Sequence, residues 1–558
     1  MSDTTTGQGG PVSAGGVMLA ADGRPLKQSL ARAQRRQRLR AFLLVAPLLA
    51  FVLIAFVAPI ADMLFRSVEN EIVPETLPRT VAELRRWDER SGSLPPQEVF
   101  VAMARDLQLA ETRKLHTRVG QRLNYEYTGV SSLFRKTGRR LSRMGRELKQ
   151  AFVGLDPAWG EPATWVELIG APDWREAQAA WAARRARAGA DAGPEPLFRA
   201  DPAIAALLPQ TADFYAAFAR AIQTEDGDSP TEEAPWPLVY DALYRDLSGG
   251  ADLSRHTGPH ADLLRAAAAA VPGFPPVSIR DEMLKVDDGW GDVAMWQTIK
   301  AYSGRFTNGY FLAALDMKKT PDGIAMVEEN RRIYLMLFWR TLLLSVGITL
   351  ATLVLGYPVA WLLANLPARH ANLLLILVLL PFWTSLLVRT SAWKVLLQQQ
   401  GVINDLLVWI GLISDDARLV MINNQTGTII AMTHILLPFM VLPLYSVMKT
   451  IPPSYLRAAK SLGATNWTAF WRVYFPLSVP GIGAGAILVF ILSIGYYITP
   501  ELVGGTSGIF ISNRIAYHIS ISLNWGLAAA LGSILLFAVL ILYWTYDRIV
   551  GIDNVKLG

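Results

Sequence analysis

Apolar residues in this chain gather into runs on the order of 20 residues, the length a helix needs to cross a bilayer of about 30 Å. Six such runs stand out, at about 41–64, 335–364, 372–396, 427–449, 479–499 and 526–547. Pro358, Pro381, Pro438 and Pro443 interrupt some of them. Membrane helices tolerate this where neighbouring groups satisfy the freed carbonyls. Gly481, Gly483 and Gly485 in the fifth run superficially suggest a nucleotide loop, but no strand precedes them, so their spacing predicts close helix packing. Residues 65–333 are different material, rich in Ala, Arg, Asp, Glu, Trp and Pro. Helical periodicity recurs there, in Val99–Met103 with Leu107 and Leu109, and in Phe214, Phe218 and Ile222, while strand alternation is scarce. The pattern predicts an all-α membrane protein with six transmembrane helices and a large helical insertion between the first two, long enough to bury its own core.

Composition agrees: 52% of the 558 residues are hydrophobic, against about 45–50% in an ordinary soluble domain. Basic residues set the expected orientation. Arg32, Arg35, Arg36, Arg38 and Arg40 flank the first run and mark the N-terminus as cytoplasmic. Alternation then puts residues 65–333 outside the cytoplasm. It puts Arg369 and His370, the 450–478 loop and the C-terminus with Arg548 and Lys556 inside. The first apolar run is longer than a signal-peptide core and lacks a small-residue cleavage site, so it reads as a retained anchor helix. Residues 1–40 read as a disordered basic cytoplasmic tail and 551–558 as a second tail. No cysteine is present, which excludes disulfides and thiolate metal sites. No basic, aromatic-interleaved soluble module points to nucleic acid.

The insertion contains an internal echo. Asp156-Pro157-Ala158-Trp159-Gly160-Glu161 with Trp165 recurs as Asp287-Asp288-Gly289-Trp290-Gly291-Asp292 with Trp296. Two readings fit: a duplicated unit that holds a lobe of a binding protein, or two similar aspartate-rich turns that each open a helix.

Chemistry is sparse. There is no phosphate-loop motif and no His-Glu-x-x-His, and only six histidines occur. No metal or cofactor is expected on this chain, and it does not read as an enzyme. The loop after the fourth run is more informative. Tyr455, Ala458, Ala459 and Leu462 share one face of a short helix, and Trp467, Phe470, Trp471 and Tyr474 repeat that spacing. The pattern predicts two brief helices, with Pro452 and Pro453 at entry, a hinge at Gly463, Thr465 as N-cap and a stop at Pro476. Such a pair can lie on a membrane surface or dock on a partner.

Ala458, Ala459 and Gly463, followed by Val473, Phe475 and Pro476, resemble the EAA loop of ABC-importer permeases, with Arg457 at the usual Glu position. The resemblance implies the type I importer fold, a permease core over 334–550 with five of the helices, and 450–478 as the coupling loop. Tyr455, Arg457, Ala458, Ala459, Leu462, Gly463, Trp467, Phe470 and Pro476 would meet a cytoplasmic ATPase. It further implies an ATPase dimer that consumes the ATP, a second homologous permease, a periplasmic solute-binding protein, and a multi-pass place in the lipid of a bacterial inner membrane. Phrases such as Leu380-Pro381-Phe382-Trp383 and Gly495-Tyr496-Tyr497-Ile498-Thr499-Pro500 look like the spermidine/putrescine branch. Arg389, His434, Tyr496, Tyr497 and Glu501 are the translocation-path candidates. Arg389 would shape a gate or pair with a carboxylate such as Glu501, or snorkel to the outer interface beside Trp393 and Lys394. Aromatics with an acid suit an organic cation, although interfacial tyrosines are common in any membrane protein. Alternatives are an importer of the same fold for an opine, an anion or a metal chelate, and a membrane-anchored sensor or scaffold.

Overall fold

The computed structural model describes residues 26–550; the expected tails over 1–25 and 551–558 lie outside the described residues. The chain divides at Arg66 into two units. In the first, helix Leu26–Val52 runs through a π turn, Leu53–Val57, into helix Ala58–Arg66. Within it, Gln37–Arg66 is long and apolar enough to cross a membrane. The basic stretch from Leu26 to Arg40 is therefore helical, which corrects its reading as part of a disordered tail.

In the second unit, Tyr334–Asn365, Gln425–Thr450, Asn466–Gly495 and Trp525–Arg548 are likewise long and apolar enough to span. The expected single span over 372–396 is instead broken. Helix Ala368–Trp383 meets Leu386–Leu396 at 96°. Pro381 sits at the kink in a 3-10 turn, and Ser385 caps the next helix by accepting from the Val388 amide. Counting the bent pair as one span brings the total to six.

The fifth run also differs from expectation. Pro476 does not stop the second loop helix. Helix Asn466–Ala469 passes through a π turn, Phe470–Tyr474, and continues as Phe475–Gly495. A proline ring clashes with the carbonyl four residues earlier, and a widened turn relieves that clash. The first unit uses the same device: its π turn ends two residues before Pro59.

Glycines let the bundle close. A Cβ on Gly485 would lie 2.7 Å from Met440 Sδ, one on Gly481 3.0 Å from Val447 Cβ, and one on Gly356 3.2 Å from Met440 Cγ. Gly481 and Gly485, four residues apart, press one helix face onto Gln425–Thr450, while Gly483 turns to Tyr546. Ile348, Ala360, Met432, Val441, Leu444 and Val489 fill the core between.

The insertion has a separate core centred on Trp159, Trp165, Trp290 and Trp296, all fully buried. The echo proves to be the visible part of a larger repeat. Asp156 and Asp287 each cap a 3-10 turn, accepting from the Ala158 and Gly289 amides. Trp165 Nε1 donates to the Trp159 carbonyl and Trp296 Nε1 to the Trp290 carbonyl, both at 2.9 Å. Upstream, Leu77-Pro78-Arg79-Thr80 matches Leu208-Pro209-Gln210-Thr211. The Thr80 amide and hydroxyl both donate to Asp106, as those of Thr211 do to Asp246. The helices supplying these acids align as Arg105-Asp106-Leu107 and Arg245-Asp246-Leu247.

The two halves exchange partners. Trp296 packs edge-on against Phe100 at 4.7 Å, and Trp165 against Tyr240 at 5.0 Å. The opening segment of each half bridges the closing segment of the other, Glu69 with Phe306 and Ala200 with Gly170. A hairpin, Met317–Thr320 with Gly323–Met326, follows the second half and is the only strand pairing besides these bridges among the described residues.

Candidate coupling and translocation site

Asp316 joins the insertion to the bundle. It is buried with φ 55°, and its carboxylate accepts from the amides of Ile333, Tyr334 and Leu335, the first turn of the Tyr334–Asn365 helix. Three donors that a helix start leaves unpaired are thus satisfied by one side chain. Nearby, the Tyr334 hydroxyl and His518 Nε2 are 2.9 Å apart, and Tyr125 in the insertion donates to the Ser522 carbonyl at 3.2 Å. Tyr310, Leu337, Ile511, Leu527 and Leu531 form a small apolar cluster at the same junction.

At the opposite end of the bundle lies the 450–478 loop. Its first helix, Pro453–Ser461, begins with proline in the first turn and ends at Gly463 with φ 87°. The Gly463 amide donates to Lys460 O and the Ala464 amide to Ala459 O, at 3.0 and 3.1 Å, closing the helix end with a left-handed glycine. Thr465 then caps the second helix, accepting from the Thr468 amide at 3.2 Å. Hinge and cap lie where the residue pattern puts them. Tyr455, Arg457, Ala458 and Leu462 are exposed, with Leu462 88% so, while Leu456 packs back on the bundle core.

The aromatic stripe divides by face. Trp467 is 72% exposed and Trp471 is also open, whereas Tyr474 is 3% exposed and Phe470 packs inward. Phe470 lies 6.1 Å from the Tyr357 ring, and the Tyr357 and Ser478 hydroxyls are 2.9 Å apart. The loop is therefore anchored by its second helix and presents its first. The π turn over 470–474 offsets the side-chain register, so strict helical spacing does not keep the four aromatics on one surface.

Three of the path candidates come together. Arg389 is close enough for its charge to act on His434 and Tyr496, and it lies 5.9 Å over the Phe382 ring. His434 Nδ1 accepts from Trp393 Nε1 at 3.0 Å. The other two turn elsewhere. Glu501 accepts from Asn513 Nδ2 at 2.6 Å, and the same amide donates to the Tyr497 carbonyl at 2.8 Å. An Arg389–Glu501 ion pair is absent among the described residues, and Arg389 Nε and Nη1 are buried without an acceptor. Thr390 and Thr499, whose hydroxyls are 3.1 Å apart, tie the broken span to helix Ile498–Val503. Thr390 lies beside Arg389 and Thr499 within the Gly495–Pro500 phrase, but only the tertiary contact pairs them. Among the described residues, no three His, Asp or Glu side chains converge as a metal site.

A family model described as "binding-protein-dependent transport system inner membrane component" matches residues 353–550. The spermidine/putrescine transport system permease protein PotB of Escherichia coli (strain K12) is 37% identical over 232 residues, covering 40% of this chain and 84% of that protein. PotB of Salmonella typhimurium (strain SL1344) is 36% identical, with 80% of its length covered. This chain belongs to that permease family. The inner membrane ABC transporter permease protein YdcU of E. coli is 35% identical over 64% of its length. A crystal structure of a bacterial alginate ABC transporter aligns at 21% identity over 40% of the permease and 80% of that chain, with a TM-score of 0.32. The family match leaves out the whole insertion, and the 450–478 loop and all five path candidates fall inside it.

Proposed function

We propose that the permease is the translocating subunit of an ATP-driven importer for polyamines of the spermidine and putrescine kind. The observation that carries this reading is the 36–37% identity over 232 residues to permeases named for those solutes. In this reading the broken pair counts as a sixth span. Both termini and the 450–478 loop are cytoplasmic, in a bacterial inner membrane. The insertion lies on the opposite side, with a periplasmic binding protein delivering the solute there.

A second permease completes the pathway and supplies the acceptor that Arg389 lacks, since a cation at membrane depth is costly unless paired. The exposed face of Tyr455, Ala458 and Leu462, with Trp467 and Trp471, enters a cleft of an ATPase dimer. Closure of the ATPases on ATP draws the two coupling loops together. That motion reaches the bundle through Phe470, Tyr474 and Tyr357, and hydrolysis resets it. ATP stays on the partner.

The experiment is uptake of labelled spermidine by cells expressing the full transporter. Gly463→Asp is expected to abolish uptake while membrane insertion stays intact, because it strains the turn at φ 87° and sets a negative charge on the exposed hinge. Normal uptake by that variant would remove the docking role. Uptake of another solute in place of spermidine by the wild type would retain the importer and replace its substrate.

A further inference from the structure

We propose that the first half of the insertion holds a binding site for a small zwitterion carrying both an ammonium and a carboxylate group. The site is a cavity of about 620 Å³ between helices Pro162–Ile169 and Pro172–Ala188, bordered by Thr231 and Glu232. Its volume falls in the range of small-molecule sites, about 300–1,000 Å³.

Each half of the internal repeat has such a cavity. Val166 and Glu167, just after Trp165, line this cavity. Gln297 and Thr298, just after Trp296, line a second one. The two cavities thus occupy matching places in the two halves. The second has shrunk to about 130 Å³, with the hairpin residues Lys318 and Lys319 in its wall. Lys319 Nζ donates to Thr307 Oγ1 at 3.3 Å and sits 5.4 Å over the Tyr302 ring. There the chain supplies an alkylammonium of its own. No hairpin follows the first half; helix Pro172–Ala188 follows instead, and the cavity stays open.

Unpartnered polar atoms argue the same way. Gln178, 5% exposed, spends its amide donors on Glu195 and Ser229, while its Oε1 has no partner. Arg175 Nε is buried and unpaired on the same wall. Both residues line the cavity, so an acceptor and a donor without partners lie within its wall.

Charge then selects the class. Arg175 and Arg185 would repel a simple polycation, and Glu167 and Glu232 would repel a simple dianion. Glu167 is already engaged by His260 Nε2 at 2.9 Å. That leaves Glu232 for an ammonium, and Arg175 with Arg185 for a carboxylate. Amino acids and short peptides have this chemistry, and the assignment does not depend on which solute the transporter moves.

The test is titration of the purified full-length chain in detergent, read by calorimetry and by tryptophan fluorescence, since Trp174 and Trp181 line the cavity. Glycylglycine and 4-aminobutyrate serve as zwitterions, spermidine as the cation and glutarate as the dianion. The zwitterions are expected to saturate and the other two to fail to compete. Arg185→Gln and Glu232→Gln each remove one charge-assisted contact, and each is expected to weaken binding by about tenfold. Both positions are exposed, so the variants retain the fold. Lys319→Gln, in the filled cavity, is expected to leave the affinity unchanged. The proposal falls if no zwitterion saturates the wild type, if both variants bind as the wild type does, or if spermidine or glutarate displaces the zwitterion.

Discussion

Single residues set the acid response of this protein, and two of them pull in opposite directions. Burial raises the Asp106 carboxyl from 3.8 to about 6, and the two hydrogen bonds from Thr80 only partly offset it. The fold therefore favours the protonated acid. That contribution is full below pH 3.8 and is lost as pH rises through about 6. Asp106→Asn is expected to flatten this dependence, measured as thermal unfolding of the buried tryptophans across that window. His518 behaves the other way. Burial, aided by Arg514, lowers it from 6.5 to about 4. Its contribution is present above pH 6.5 and fades as pH falls toward about 4. Because His518 lies at the junction with Tyr334 and Tyr125, acid is expected to loosen that joint. Hydrogen exchange at Tyr125 and Ser522 should rise, and less so in His518→Asn.

At the scale of elements, sequence legibility follows how local each cause is. Gly463 and Thr465 are legible because a left-handed turn and a cap each need a particular residue type close in sequence. The glycines of the Phe475–Gly495 helix are legible as packing surfaces for a similar reason. Gly485→Val is expected to lower the yield and thermal stability of the solubilised permease, since its side chain would meet the Met440 sulfur and backbone. Pro476 misleads because a proline's effect depends on the turn before it, and nothing in Phe470–Tyr474 announces a π turn. The bend at Pro381 escapes for the converse reason. Apolar length identifies membrane residence and is silent on direction, and Pro381 reads no differently from Pro358, Pro438 and Pro443, which sit inside continuous helices. Asp316 lies far from the helix it caps, beyond a hairpin. Asp316→Ala should cost about 0.5–2 kcal/mol and is expected to show as early proteolysis at the hairpin.

For the whole molecule, the reciprocal repeat means that each half of the insertion completes the core of the other. Trp296→Ala should remove about 3–5 kcal/mol, and the loss is expected to appear in both halves, because Trp296 packs on Phe100 as well as on Trp290. Uniform loss of protection across 70–305 would fit that exchange; loss confined to the second half would not. The short sequence echo gave away the two tryptophan turns. The rest stayed hidden because Thr80 with Asp106 and Thr211 with Asp246 form one structural motif from separated residues, with the spacing changed between the copies.

The first and last segments of the insertion are also zipped side by side: the Asn70 amide donates to Arg305 O at 2.9 Å, and the Thr307 amide to Val68 O at 2.8 Å. Seen from the bundle, everything between them is a loop whose mouth is already shut. The entropic cost of closing a loop rises only slowly with its length, so a domain attached in this way places little demand on its host. Excising residues 71–304 and bridging the gap with a tight turn would leave the strand ends where the bundle needs them. The same geometry sets an order of events during synthesis. The seam at Asn70 cannot form until Arg305 has emerged, so the first half must wait, with its edge unpaired, for nearly the whole of the second.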